Sequence, residues 1–561
     1  MQLSNVSNQL VNGLHTKNLR GDLFGGITAA VVALPLALAF GVSSGAGAIA
    51  GLYGAIIVGF FAALFGGTPS QISGPTGPMT VVIATVFSGE IARDPEHGAA
   101  IAFTVIMLGG IFQILFGIMR LGKYITLMPY TVISGFMSGI GAIIILLQIG
   151  PFFGHSASAN VVESIGKLGY FMTHANSAET TLGVMTLAIV FLTPAKITRL
   201  IPSPLLALIA GTIAAVYFFP DSNLRLIGDI PSGLPSLHLP YLDIAHIRSI
   251  FGHGLMLAVL GSIDSLLTSL VADNITHTQH DSDRELIGQG IGNTISGLFG
   301  GLPGAGATMR TVINVKTGGK TPISGMTHAL VLLLIILKAG ELTAHIPQAV
   351  LAGILIKVGI DIIDWSFLKR AHQISLKATG LMYLVLFLTV FVDLITAVAV
   401  GVFFANLLTV KNLSDIQSRH VTAIANPEDD DLNDAGLTVA EKHLLKQARG
   451  KVLLFNLSGP MSFGAAKTIS QRMGIVKKYE VLILDLRDVP LLGVTASLAI
   501  ENMVKDAFSN NHQVFLVGAT GRVKERLQKM KLLRLLPPEN RFDERLFALE
   551  KAIAQIRAPK T

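Results

Sequence analysis

One segment, residues 251–318, restricts the fold more than any other. It reads FGHGLMLAVLGSIDSLLTSLVAD, then the polar run NITHTQHDSDRE, then LIGQGIGNTISGLFGGLPGAGATMRTVINVKTG. The first piece is long and apolar enough to cross a bilayer, yet it carries Asp264 at its middle. The last piece is rich in Gly, poor in helix formers, and carries Arg310. A charged side chain at the bilayer centre costs about 2.5–3.5 kcal/mol on insertion scales, so a chain that keeps one has a use for it. A buried acid, a buried base and a broken helix together suit a protein that holds small ions away from water.

Composition agrees. Apolar residues make up 51% of the chain and charged residues 14%, against roughly 25% charged in soluble globular domains. Such a chain has too little polar surface to dissolve, so it is read as a polytopic membrane protein. The charge is uneven: residues 1–410 carry little within their apolar runs, whereas residues 413–561 read like a soluble domain. The net charge of +7 fits basic cytoplasmic loops. No basic stripe with interleaved aromatics points to nucleic acid. There is no cysteine, which excludes disulfide and thiolate chemistry. The polar first twenty residues carry no signal-peptide pattern, so the first apolar run is expected to stay as a span.

A span needs roughly 20 apolar residues. Candidates cover 23–42, 48–65, a short run from Gly77 to about 87, 99–119, 126–149, 181–192 and 205–219. A polar stretch follows, and then come 255–271, 286–299, a short run after Gly306, 323–337, 346–362, 381–392 and 395–410. That makes about fourteen. The third and the tenth are short, and Gly and Pro precede both: GGTPSQISGPTGPMT and GGLPGAGATMRT. They hold matching places, third of seven in each half. Paired interruptions of this kind point to a transporter binding site. A half-helix that starts inside the membrane offers free N–H groups and the positive end of its dipole, so two such ends make an anion site. The alternative is that Gly and Pro mark ordinary loops. Lys and Arg are richer in the loops that share a side with the N-terminus, which favours both termini in the cytoplasm.

After the polar linker, whose run PEDDDLNDAG spans 427–436, strand and helix patterns alternate. Residues 451–459, 479–486 and 513–518 read as strands, and 465–476, 495–507 and 521–533 as helices, an α/β layer pattern. The expected division is a transmembrane domain 1–412, a linker 413–450 and a cytoplasmic domain 451–561.

At AGLYGAIIVGFFAALFGGTPSQISGPTGPMT (50–80), MPYTVISGFMSGIG (128–141) and ELIGQGIGN…GLFGGLPGAGATMRTVIN, the chain resembles the sulphate permease (SulP) family of anion transporters. The tail resembles the STAS domain that ends most of that family. Within it, GSIDSLLTSLVAD, GAGATMRT, IKVGIDIIDWSFLKRAH and LLGVTASLAIEN are most similar to the BicA-type sodium-dependent bicarbonate transporters. The resemblance implies about fourteen spans in a seven-plus-seven inverted repeat, with UraA-like core and gate domains, followed by the soluble α/β STAS domain. It also implies an elevator motion of core against gate, and a homodimer in a bacterial inner membrane.

Carried onto these residues, the resemblance implies a sodium site at Asp264 and Thr268, completed by Gly306 and Thr308 with the backbone around Ala307. The anion would lie beside it, at Thr76, Gly77, Gly306, Ala307, Thr308 and Arg310. The chemistry is consistent: sodium takes hard oxygen ligands, and Asp264 and Thr268, at i and i+4, share one helix face. Arg310 departs from the BicA-type pattern. It resembles the basic residue that many anion-exchanging members carry on span ten. Three placements stay open for it: facing the anion, pairing with Asp264, or reaching to a cytoplasmic cavity.

Other polar residues are weighed against blander roles. Gln71 and Ser73 line the site or cap the half-helix. Pro35, Leu38 and Phe40 wall the substrate or simply pack. Asp393 is either a second ion contact or a residue at a span boundary on the outer face, the latter being the expected role. Glu285 is expected in water near the start of span nine. His253, His277 and His280 lack ligand spacing. Thr495 stands where STAS-like antagonists carry a phosphorylated residue, so it is the candidate regulatory position, with helix N-cap as its ordinary role.

The leading expectation is a secondary transporter of small inorganic anions, with sodium-coupled bicarbonate uptake first. Sulphate or dicarboxylate transport by proton symport or exchange is the alternative. No cofactor is expected beyond sodium as coupling ion. An anion channel would conduct without cation dependence, and a sensor would carry no flux. No nucleophile–base pair or metal-ligand cluster supports an enzyme.

Overall fold

The computed structural model describes residues 12–125, 129–158, 160–198, 202–220, 223–228, 235–242, 246–343, 345–425, 436–475 and 479–557. The chain forms two compact units, Met1–Phe403 and Phe404–Thr561.

Each apolar run read from the sequence falls on a helix of the first unit or its end. These are α1 (Leu19–Ser43), α2 (Ala48–Phe65), α3 (Gly77–Arg93), α4 (Gly98–Ile118), α5 (Tyr130–Phe152), α6 (Ser177–Leu192) and α7 (Ser203–Phe218). The second set is α8 (Ile247–Thr276), α9 (Ser282–Leu298), α10 (Thr308–Lys316), α11 (Pro322–Thr343), α12 (Gln348–Ile362), α13 (Leu376–Phe391) and α14 (Leu394–Arg419). Among the described residues, α1, α2, α4, α5, α8 and α14 are long and apolar enough to cross a membrane by length and composition. The shorter α6, α7, α11 and α13 are also apolar.

The helices sort into two groups by packing. In one, α9 lies on α2 and α4, α8 on α4, α11 on α1 and α2, and α10 on α1 and α8. In the other, α5 lies on α12 and α13, and α6 on α7 and α12. Gly401 of α14 packs against Val132 and Val385, so α14 joins the second group. The groups meet where α1 touches α7 and α12, and where α3 touches α5.

Asp22 shows why α10 and α11 stay close to α1. Its buried carboxylate accepts from the backbone N–H groups of Lys320 (2.7 Å) and Thr321 (3.0 Å) and from Thr321 Oγ1 (2.8 Å). An acid in the first turn of α1 also suits that helix's positive end.

The second unit is built on the sheet β3 (Val421–Ile424), β4 (Val452–Ser458), β5 (Val481–Asp488), β6 (Gln513–Val517) and β7 (Arg541–Phe542), in that order. β3 runs antiparallel to β4 and the other pairs are parallel. Alternate residues supply two cores. Leu453, Phe455, Leu457, Leu482, Leu484, Val514 and Leu516 face α16 (Phe463–Ile475), α17 (Val494–Ser509) and α18 (Gly521–Lys529). Val452, Leu454, Val481, Ile483, Phe515 and Val517 face α15 (Val439–Ala448) and α19 (Arg545–Arg557). A parallel sheet buried on both faces reads as nearly unbroken apolar runs, as KVLLFNL and VLILDL do.

The segment read as linker, 413–450, is largely folded. It holds the end of α14, the edge strand β3 and helix α15, which carries a Thr438–Glu441 capping box. β3 is four residues long and α15 is mostly polar, so neither stands out in the sequence. Most of PEDDDLNDAG, residues 427–435, lies outside the described residues.

Candidate ion-binding site

Two short strands join the interrupted segments. β1 (Ser73–Gly74) and β2 (Ala305–Gly306) pair antiparallel, Ser73 opposite Gly306 and Gly74 opposite Ala305. The ladder continues as Ala307 N–H donates to Ile72 O at 2.8 Å, and Thr311 Oγ1 accepts from Ile72 N–H at 3.0 Å. The crossing is tight: a side chain on Gly304 would come within 2.5 Å of the Gly74 backbone. This explains the glycines that sequence reading saw only as helix breakers.

Immediately after each strand a helix begins, α3 at Gly77 and α10 at Thr308. Their N-cap residues, Thr76 and Ala307, are extended and make no side-chain cap. The free N–H groups of both first turns, with the positive dipole ends, therefore converge. Both starts meet the same stretch of α8. Thr268 Oγ1 donates to Gly306 O at 2.9 Å and lies 2.8 Å from Thr308 Oγ1. Gly306 N–H donates to Ser265 Oγ at 3.1 Å. One turn earlier on α8, the Asp264 carboxylate lies beside Thr76. Asp264 Oδ2 and Thr76 Oγ1 are both buried, and neither has a partner among the described residues beyond the other.

Asp264 is half-buried and also lines a small pocket with Pro78, Val132, Phe136, Leu260 and Val398. A larger cavity of about 910 Å³ is lined by Val81, Ile143 and Met256 of the same helices and by Thr85, Gln148 and Asp393.

Arg310 is only 3% exposed, which rules out reaching to a water-filled cavity. Its Nη2 donates to Pro75 O, and Nη1 lies against Gly74. No ion pair with Asp264 forms within 4.0 Å among the described residues. Arg310 thus ties the start of α10 to the loop that opens α3. Behind it, on α11, His328 is fully buried with no partner for either ring nitrogen among the described residues.

The expectation that Glu285 lies in water is corrected: it is 1% exposed and bonded to the backbone of Gly67 and Thr68. It follows a polar run in sequence, but the loop before β1 folds over it. Gln71 bonds Glu285 and Ser269, and Ser73 Oγ accepts from Gln289. Asp393 is an N-cap of α14, accepting from Thr396 N–H at 2.8 Å. Pro35, Leu38 and Phe40 are buried within α1. His253, His277 and His280 do not converge, and no group of three metal-ligand side chains occurs among the described residues. Thr495 is exposed in the first turn of α17 and does not cap it, because Gly493 holds the N-cap. Sequence reasoning missed Ser265, Ser269, Gln289, Asn293 and His328. The spacing of Glu285, Gln289 and Asn293 at i, i+4 and i+8 was the available signal.

Two helices that start inside a bundle, joined at their N-termini by a strand pair and backed by an acid on a third helix, define a membrane transporter fold. The sulfate permease family model matches residues 19–387 and the STAS domain model residues 443–545. The chain belongs to the sulfate permease family and carries a C-terminal STAS domain. It is 52% identical to the bicarbonate transporter BicA of Picosynechococcus sp., over 98% of this chain and 97% of the relative. It is 31% identical to the putative sulfate transporter YvdB of Bacillus subtilis, over 95% and 97%. The solved transmembrane domain of a cyanobacterial BicA matches at 55% identity and TM-score 0.66, covering 69% of this chain and all of that one. The overall structure of SLC26A9 shares the fold at TM-score 0.83 and 18% identity, covering 99% and 94%. The chain is a membrane anion transporter of this family, not an enzyme.

Proposed function

We propose that this protein takes up bicarbonate in symport with sodium across a bacterial inner membrane, both termini lying in the cytoplasm. The observation that carries the reading is the buried pair Asp264 Oδ2 and Thr76 Oγ1, which have no partner beyond each other among the described residues and sit where two helix N-termini converge. Buried polar atoms without partners are costly, by about 1–3 kcal/mol each, and persist where a ligand completes them. A sodium ion fits the oxygen set of Asp264, Thr268, Thr308 and the Gly306 carbonyl. Its charge, with the helix ends at Gly77 and Thr308, holds a monovalent anion beside Thr76 and Ala307. The identity to proteins named as bicarbonate transporters supports the substrate.

The two helix groups support an elevator motion. The site belongs to the group of α3, α8 and α10, and the cavities bordered by Met256 and by Asp264 both lie along α5 of the other group. Sliding the first group past α5 would open the site alternately to each side. Arg310 favours a second reading, sulphate or dicarboxylate exchange, because a fixed buried cation can replace sodium.

The test is uptake of labelled bicarbonate, sulphate and succinate into proteoliposomes, with and without a sodium gradient. Bicarbonate accumulation that follows the sodium gradient, and is lost in Asp264→Asn, is the expected result. Sodium-independent sulphate or succinate exchange would replace it with the second reading.

A further inference from the structure

Among the described residues, Glu285 accepts four hydrogen bonds and has no cationic partner within 4.0 Å. Its Oε2 accepts from the N–H groups of Gly67 and Thr68, each at 2.9 Å. Its Oε1 accepts from Gln71 Nε2 at 2.7 Å and Gln289 Nε2 at 2.8 Å. The four N–H groups all donate to it, so a proton on either oxygen would face an N–H, and these four contacts favour the ionised carboxylate. Burying an unpaired charge is expensive, and four charge-assisted bonds offset that cost.

Gln71 carries the constraint onward. Its Oε1 accepts from Ser269 Oγ at 3.1 Å, one residue after Thr268. Its amide also lies against Gly306: a methyl group there would fall 2.3 Å from Gln71 Nε2. The same face of α9 holds β1 and the residue just before β2. Gln289 Nε2 donates to Ser73 Oγ at 2.6 Å. Asn293 accepts from Gly304 N–H at 2.7 Å and donates to its carbonyl at 2.9 Å.

We propose that this polar line on α9 positions the ion site, and that Glu285 sets the affinity for the co-transported cation without touching it. Its charge pins Gln71, and Gln71 fixes where the Gly306 carbonyl stands. The inference rests on the sodium site proposed above. A small cation needs its oxygens placed to within about 0.5 Å, so the group that holds a ligand's support governs affinity.

The test is sodium-dependent bicarbonate uptake by the full-length chain in proteoliposomes. Glu285→Gln puts an NH2 where two donors point. It is expected to raise the half-saturating sodium concentration by about tenfold or more, the usual effect of losing a ligand's outer support. The maximal rate at saturating sodium should stay within about threefold of the native value, since no ion contact is lost. Should Glu285→Gln fold poorly, Gln71→Asn serves: it spares the bonds from Gly67 and Thr68 but withdraws the amide from Gly306. It is expected to move half-saturation in the same direction. Native half-saturation in both variants, or a fall in maximal rate alone, would overturn the inference. Asp264→Asn run alongside separates the two claims. If it abolishes sodium dependence while the other variants behave as native, the cation site stands and only the role of Glu285 falls. If it retains sodium-driven uptake, the site itself is wrong.

Discussion

Thr268 and Thr308 place their hydroxyl oxygens 2.8 Å apart, and Thr268 donates at the same time to the carbonyl of Gly306. One side chain on α8 therefore holds both β2 and the first residue of α10. Thr268→Val keeps the shape and removes the hydroxyl. It leaves a buried carbonyl short of a donor, a loss of about 1–3 kcal/mol. Sodium affinity should fall by about tenfold or more if the hydroxyl is also a ligand. Thr268→Ser should restore most of it. Sodium titration of uptake decides, and native sodium dependence in Thr268→Val would remove the residue from the site.

Arg310 poses a different question, because its guanidinium already has a protein acceptor in Pro75 O. If it also supplies the field that holds the anion, Arg310→Ala should weaken a divalent anion more than a monovalent one, since attraction scales with charge. Competition of sulphate and bicarbonate against labelled substrate measures the ratio. Equal losses for both anions would leave Arg310 as a tie between α10 and the loop before α3.

The second unit gives a prediction in pH. Arg545 is buried and bonds Glu441 at 2.9 and 3.0 Å, and it lies 3.3 Å from Asp485. Burial pushes the Glu441 carboxyl up, but the bonds from Arg545 and Thr438 outweigh it and hold the group below the usual carboxylate range. A group depressed in the folded state contributes stability above its unfolded pKa and loses it as pH falls through the folded one. Urea unfolding of a fragment starting at residue 420 should therefore show stability falling below about pH 4. Arg545→Met leaves the acid buried without its partner and should cost about 3–5 kcal/mol at neutral pH. An unchanged midpoint would show the pair to be dispensable.

The fold was legible wherever an apolar run was long, because length and hydropathy alone mark a span. The half-helices were legible for another reason: Gly and Pro at matching places forecast the β1–β2 junction without naming it. Asp264 and Thr268 stood out as polar residues in an apolar helix. Glu285 did not, because a polar run precedes it and a loop 217–218 residues away in sequence buries it. His328 and Asn293 were hidden likewise, since only tertiary packing shows what they face. In the tail, β3, β7 and α19 were missed because short edge strands and a mixed helix carry weak periodicity.

The last prediction concerns the division of labour between the units. The second unit has its own two cores, one on each face of its sheet. The candidate ion ligands, from Thr76 to Arg310, all lie within the first unit. Each is held by hydrogen bonds or packing to residues of that unit, as Thr268 is to Gly306 and Arg310 to Pro75. A chain ending after α14 should therefore bind its anion with an affinity within about threefold of the full chain, because nothing that touches the site is removed. Transport rate or expression can fall without contradicting this, since neither reads the site alone. Calorimetric titration of the truncated protein with bicarbonate in the presence of sodium is the measurement. Loss of binding by a truncated chain that still melts cooperatively would make the STAS domain part of the site.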